Sequence, residues 1–162
     1  LESQNYYHLD INKNNILIYE NNPYIIDYGT LSHVNDFTVK DNITYSEKKE
    51  YFGTYGFVPP EFMNDRNINP SKFDVFSIGI LLFDKFYSFN PFSQSSYYKS
   101  ECWFWCNNCS KDRQKCLLKF MNEYRVQIKD PYKYIILRCL EFDPIKRISL
   151  ENLQSLLNLC CN

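Results

Sequence analysis

Alanine is absent from this chain of 162 residues, and glycine occurs only four times. The missing alanine goes with abundant Asn, Tyr, Phe, Ile and Lys. It reads as compositional bias rather than a physical requirement, so an Asn here is not chemistry by default. An excess of either charge is also missing. The net charge of −1 gives no basic footprint, which excludes an electrostatic nucleic-acid surface. No charged-then-apolar leader opens the sequence. The longest apolar run, residues 78–83, is far too short to span a bilayer. The expectation is a soluble intracellular chain, cytoplasmic or nuclear, with no nucleic-acid or membrane partner and no signal for an oligomeric state. Hydrophobic residues at 44% and aromatics at 18% exclude a disordered chain. The length suits one domain with a real core. The seven cysteines are an odd number without a small-scaffold pattern, so they are expected to be mostly reduced.

Several segments carry local structural signals. Residues 1–7 read as the last turn of an element. Ile16-Leu17-Ile18-Tyr19, a turn at Glu20-Asn21-Asn22-Pro23, and Tyr24–Ile26 read as a β-hairpin. Such a hairpin brings Asn15 and Asp27 close in space. Residues 30–52 sustain no period and read as a long, irregular surface loop. Residues 71–86, preceded by Pro70, form a helix apolar on all faces and therefore buried. Asp130-Pro131 reads as an N-cap followed by proline at the first helical position. The face Tyr132, Ile135, Ile136, Cys139 and Leu140 follows at helical spacing. A last helix, capped by Ser149, runs to Cys160.

The chemistry-bearing segments are more specific. His8-Leu9-Asp10-Ile11-Asn12-Lys13-Asn14-Asn15 is followed by Asp27-Tyr28-Gly29. Two carboxylates and one carboxamide at this spacing suit phosphoryl transfer. One carboxylate orients an attacking hydroxyl, and the other two groups hold Mg²⁺ against phosphates. Then come Gly53-Thr54-Tyr55-Gly56-Phe57-Val58-Pro59-Pro60-Glu61, Asp74-Val75-Phe76-Ser77-Ile78-Gly79 and Cys139-Leu140-Glu141-Phe142-Asp143-Pro144-Ile145-Lys146-Arg147. In this order and spacing, across nearly the whole chain, these segments resemble the eukaryotic protein kinases, of the Ser/Thr type.

The resemblance implies a mainly α fold with a small β-hairpin: the C-terminal, large lobe of a kinase domain over residues 1–162. Within it would lie a catalytic loop at 8–15, an activation segment at 27–61, a buried helix at 71–86, a cysteine-rich insert at 93–122 and final helices at 131–160. It implies ATP and Mg²⁺ as cofactors and a protein substrate. Asp10 would orient the hydroxyl as catalytic base, and Asn15 and Asp27 would ligate Mg²⁺. Thr54 would hydrogen-bond Asp10. Leu17 would lie beneath the adenine ring, and as a strand residue in an apolar run it is expected to be buried. His8, Tyr28 and Gly29 would be structural, with Tyr28 stacked on His8. Glu61 and Arg147 would form a largely buried ion pair. Asp74 would accept hydrogen bonds from the catalytic-loop backbone. Taken without the resemblance, Asp10 and Asn15 read first as a loop that caps its own backbone.

Four departures from the family pattern are visible. Leu9 stands where regulated kinases carry an Arg that pairs with a phosphorylated activation loop, so that switch is expected to be absent. Thr38, Thr44, Tyr45, Ser46 and Tyr51 read as polar loop residues or as phosphorylation sites without a named receiver. Asn12 stands where Lys is usual in Ser/Thr kinases, which removes a positive charge from the transition state. The neighbouring Lys13 either reaches the γ-phosphate or points to solvent. Finally, there is no G-x-G-x-x-G and no V-A-I-K segment, so this chain alone is expected to bind ATP poorly and turn over little. A kinase-derived binding module without catalysis is the alternative reading.

Residues 93–122 hold Cys102, Cys106, Cys109 and Cys116 with Trp103, Phe104 and Trp105. Four thiolates could bind Zn²⁺, although the spacing is not that of paired CxxC knuckles. On a helix the first three cysteines would share a face and could simply be core.

Overall fold

The computed structural model of the chain describes residues 4–40, 43–46, 53–65, 69–91, 113–123 and 128–160. In chain order the elements are β1 (Tyr6–Tyr7), β2 (Ile16–Tyr19), β3 (Asn22–Ile25), β4 (Ser32–His33), β5 (Phe37–Lys40), β6 (Ile43–Ser46), α1 (Pro60–Asp65), α2 (Pro70–Tyr87), α3 (Arg113–Glu123), α4 (Tyr132–Cys139) and α5 (Leu150–Cys160). The strands form three separate antiparallel pairs, β1–β4, β2–β3 and β5–β6.

α2 is the centre of the fold. Asn69 caps it by accepting the Lys72 N–H at 3.2 Å, Pro70 occupies the first turn, and Ser88 ends it with φ of 61°. Phe76, Ile80 and Phe83 pack with Phe57, Phe89, Leu117, Met121, Ile136 and Leu140 in the main core cluster. On another side, Val75 meets Ile135 and Cys139 of α4, Ile148 just before α5, and Leu153 of α5. Gly79 allows the close crossing of α2 and α4. A Cβ there would sit 2.7 Å from the Cys139 Cβ and 2.8 Å from the Leu140 Cδ2. Ser149 caps α5, its Oγ accepting from the Asn152 N–H at 3.2 Å.

Several expectations need correction. Residues 6 and 7 are a strand, with Tyr6 opposite His33 and Tyr7 opposite Ser32, rather than the end of a turn. The expected loop at 30–52 contains β4, a 3-10 turn at Val34–Asp36 and the β5–β6 hairpin. These strands are two to four residues long, too short to register as a period. The β2–β3 turn is the pair Glu20 and Asn21, with φ of 48° and 61°. Two consecutive left-handed residues make the turn whose twist matches a hairpin. Pro23 is therefore in β3, opposite Ile18. It sits one pair beyond the closing pair Tyr19 and Asn22, where the nitrogen points out of the ladder and no hydrogen bond is lost. Leu17 is 52% exposed rather than buried, because nothing in the described structure covers the hairpin on its side. At α4, Pro131 itself is the cap residue, after a cis Asp130–Pro131 bond, and Asp130 makes no side-chain cap. Of that helix's expected apolar face, Ile135, Ile136, Cys139 and Leu140 are buried and Tyr132 is exposed.

Candidate active site

The loop from His8 to Asn15 is fastened to α2 from below. The Asp74 carboxylate, 4% exposed, accepts the His8 N–H at 2.9 Å through Oδ2 and the Leu9 N–H at 2.8 Å through Oδ1. Leu9 takes a left-handed φ of 61°, which a β-carbon resists. It is nonetheless fully buried in a cluster with Phe62 and Phe73, flanked by Tyr7, Phe37 and Val58. The cluster joins the loop to β1, β5, α1 and α2 without a charged group.

His8 is also fully buried. Its Nδ1 accepts the Asp10 N–H at 3.3 Å, and its Nε2 lies 3.2 Å from the Ile26 carbonyl. A backbone N–H can only donate and a carbonyl can only accept, so the ring proton belongs on Nε2. The Tyr28 ring lies 5.7 Å away, tilted by 60°. Thr30 adds a tie that was not legible in the sequence, its hydroxyl donating to the His8 carbonyl at 2.7 Å. His8 and Tyr28 thus brace the loop against the Asp27–Gly29 turn.

Asp10 lies at the top of this brace. Its Oδ1 accepts from the Thr54 hydroxyl at 2.7 Å and from Asn12 Nδ2 at 3.0 Å. Its Oδ2 accepts from Asn15 Nδ2 at 3.0 Å. The backbone of 53–54 must approach closely for this. Gly53 has φ of +82°, and a Cβ there would stand 2.9 Å from the Leu9 carbonyl oxygen.

Asn15 is buried, and its Nδ2 donates to the Asp10 carbonyl at 2.9 Å as well as to the carboxylate. Both acceptors are oxygens, so the amide nitrogen must face Asp10 and the carboxamide oxygen faces away. The Asn15 carbonyl accepts the Ile26 N–H at 2.9 Å, which extends the hairpin ladder and sets Asp27 immediately beyond it. Asp27 is exposed, with φ of 62°, and its Oδ1 receives only the Gly29 N–H at 3.2 Å. A carboxamide oxygen and a largely unused carboxylate are hard donors of the kind Mg²⁺ takes, usually with phosphate and water completing its shell. These residues fit such an ion. Among the described residues there is no group of three His, Cys, Asp or Glu side chains of the kind an all-protein metal cage would need.

Lys13 does not join Asp10. Its Nζ lies 3.7 Å from Asp84 Oδ2 on α2, and its side chain is 68% exposed. Further from the loop, Arg147 and Glu61 meet fork to fork, with Nη1–Oε1 at 2.7 Å and Nη2–Oε2 at 2.9 Å. Arg147 also donates to the carbonyls of Glu141 and Lys72 at 2.8 and 2.9 Å, and it lies 4.8 Å from the centre of the Phe76 ring. Cys139 sits beside it in the core. Burial pushes its thiol up to about 12, against the opposing pull of Arg147 and Arg138. Cys102, Cys106 and Cys109 lie outside the described residues, as do Trp103, Phe104 and Trp105. Cys116 falls in α3.

Comparison with known proteins decides the family. A family model, the protein kinase domain, matches residues 1–157. The chain belongs to the protein kinases. CBL-interacting protein kinase 2 of Oryza sativa subsp. japonica is 28% identical over 155 residues, which are 93% of this chain and 30% of that protein. The serine/threonine-protein kinase ENV7 of Saccharomyces cerevisiae is 27% identical over 158 residues, 94% of this chain and 41% of that protein. An Aurora kinase of Eremothecium gossypii is 26% identical over 155 residues, 95% of this chain and 36% of that protein. The kinase chain thus spans well under half the length of these relatives. No helix among its described residues is long and apolar enough to cross a membrane.

Proposed function

We propose that the protein carrying this chain transfers the γ-phosphate of ATP to Ser or Thr hydroxyls of a protein substrate, and that this chain is the large lobe of its kinase domain. One observation carries the reading: the Asp10 carboxylate is held by three side-chain donors while Oδ2 receives only one of them. A carboxylate has about four lone-pair sites, so Oδ2 retains room to accept a substrate hydroxyl. Asp10 orients that hydroxyl and takes up its proton as the new P–O bond forms and the bond from the γ-phosphorus to the departing ADP oxygen breaks. The Asn15 carboxamide oxygen and the Asp27 carboxylate hold Mg²⁺. An ion held there would supply positive charge to offset the negative charge that develops on the transferred phosphoryl group. Leu17, exposed on β2, offers an apolar surface for the adenine ring. His8, Tyr28, Gly29, Asp74, Glu61 and Arg147 hold these groups in place without touching substrate.

A second reading is a kinase-derived binding module without catalysis. Two observations favour it: a neutral Asn12 stands where a cation is usual, and Lys13 is turned toward Asp84. Phosphate transfer by the full-length protein, compared with its Asp10→Asn variant, separates the two. The enzyme reading expects a loss of at least about 100-fold in kcat. Transfer by neither protein would favour the module, and equal transfer by both would exclude Asp10 as the catalytic group.

A further inference from the structure

We infer that Asn12 is a positioning residue: an uncharged clasp that aims the Asp10 carboxylate by tying it to Thr54, with no polar atom left over for a phosphate. The inference rests on the kinase reading above and deepens it. Asn12 is 2% exposed. Its Nδ2 lies 3.0 Å from Asp10 Oδ1, 3.1 Å from the Asp10 carbonyl and 3.0 Å from Thr54 Oγ1. Its Oδ1 accepts the Asn14 N–H at 2.9 Å and caps the 3-10 turn Lys13–Asn15. Reversing the amide would set oxygen against oxygen on one side and N–H against N–H on the other, so its orientation is fixed by its partners.

The three side chains close a ring. The Thr54 hydroxyl donates to Asp10 Oδ1, and Asn12 donates to both of them. Each bond polarises the next in a site partly shielded from water. The ring joins positions separated by 42 and 44 residues, so it locks the loop to the segment that follows Gly53. Asn12 has two amide hydrogens for three acceptors, and none is spare. The one cation of the loop, Lys13, is held outside the ring beside Asp84. Asn12 therefore acts on the rate through the aim of Asp10, and not on nucleotide affinity.

The test uses the full-length protein with Asn12→Asp, Asn12→Ser, Thr54→Val and the Asn12→Ser/Thr54→Val double variant, each checked for folding by its thermal midpoint. Asn12→Asp replaces the donor with an acceptor of the same shape, and kcat should fall about 100-fold while the ATP KM stays within threefold. Asn12→Ser and Thr54→Val should each lower kcat, and the double variant should be no slower than the slower single, because both break one ring. An ATP KM that rises in step with the loss of kcat would mean that Asn12 contacts the nucleotide. Strictly multiplicative losses would mean that there is no shared ring. Either result overturns the inference. Should the wild type transfer no phosphate, or Asp10→Asn transfer it equally well, the catalytic reading of Asp10 fails instead. The clasp is then judged by NMR, through contacts between the Asn12 side-chain amide protons and the Thr54 methyl group. Their presence upholds it as structure, and their absence overturns it.

Discussion

The loop-and-α2 region and the β2–β3 hairpin invert the usual distribution of polar and apolar side chains. Around α2, His8, Asn12, Asn15, Asp74, Ser77 and Arg147 are all buried, and each has hydrogen-bond partners. In the hairpin, Leu17, Ile18, Tyr19, Tyr24 and Ile25 are all at least a third exposed. Buried polar groups are tolerated only when they are satisfied, and satisfying them fixes one geometry. An exposed apolar hairpin fixes little beyond its own ladder and turn. The α2 region thus sets the positions of Asp10, Asn12 and Asn15, and the hairpin presents surface.

That contrast can be broken at measurable cost. The largest effect is expected at Arg147→Met, which leaves the Glu61 carboxylate mostly buried without its fork. A loss of about 3–5 kcal/mol should appear in urea unfolding, a large share of the stability of an ordinary domain. Asp74→Ala comes next. It strands the His8 and Leu9 N–H groups and should cost about 2–3 kcal/mol, with loosening of the loop visible as faster amide exchange at both residues.

Cys139 sharpens the comparison through pH. Its thiol is held near 12 in the folded chain, against an ordinary value of 9.0. The unfolded chain releases this proton first, so its contribution is intact below pH 9 and is lost as the pH climbs from 9 toward 12. The slope should be about 1.4 kcal/mol per pH unit at most. Cys139→Ser should unfold with a shallower dependence over that range, while exposed tyrosines and lysines affect both proteins alike. The smallest effect is expected in the hairpin. Ile18→Ser, at a residue 64% exposed, should change stability by less than about 0.5 kcal/mol. A loss comparable to that of Asp74→Ala would show that the hairpin does bear on the core.

Legibility in the sequence followed the same divide. The long buried helix was readable because its apolar residues run over five turns, and α2 exceeds the expected span by one residue at each end. Asp10, Asn12, Asn15, Asp74, Glu61 and Arg147 stood out through motif spacing. The resemblance pointed to the Glu61–Arg147, Asp74–backbone and Thr54–Asp10 contacts, but not to two further ties. The tie of Thr30 to the His8 carbonyl and the ring through Asn12 both link positions distant in sequence. β1, β4, β5 and β6 were missed because, unlike β2 and β3, they lack an apolar run flanked by turn residues. Pro23 misled because proline is turn-like by propensity, whereas in β3 its nitrogen points away from β2. Leu17 misled because an apolar run in a strand normally implies a covered face, and here that face is open.

In the proposed enzyme, Asn15 and Asp27 hold a divalent ion beside Asp10. The direct measurement replaces Mg²⁺ by Mn²⁺ in the full-length protein with a non-hydrolysable ATP analogue and follows paramagnetic broadening by NMR. Selective loss of the Asn15 side-chain amide and Asp27 backbone signals, abolished in Asp27→Asn, is the expected result. Broadening that spares both residues, or that persists unchanged in Asp27→Asn, would contradict it.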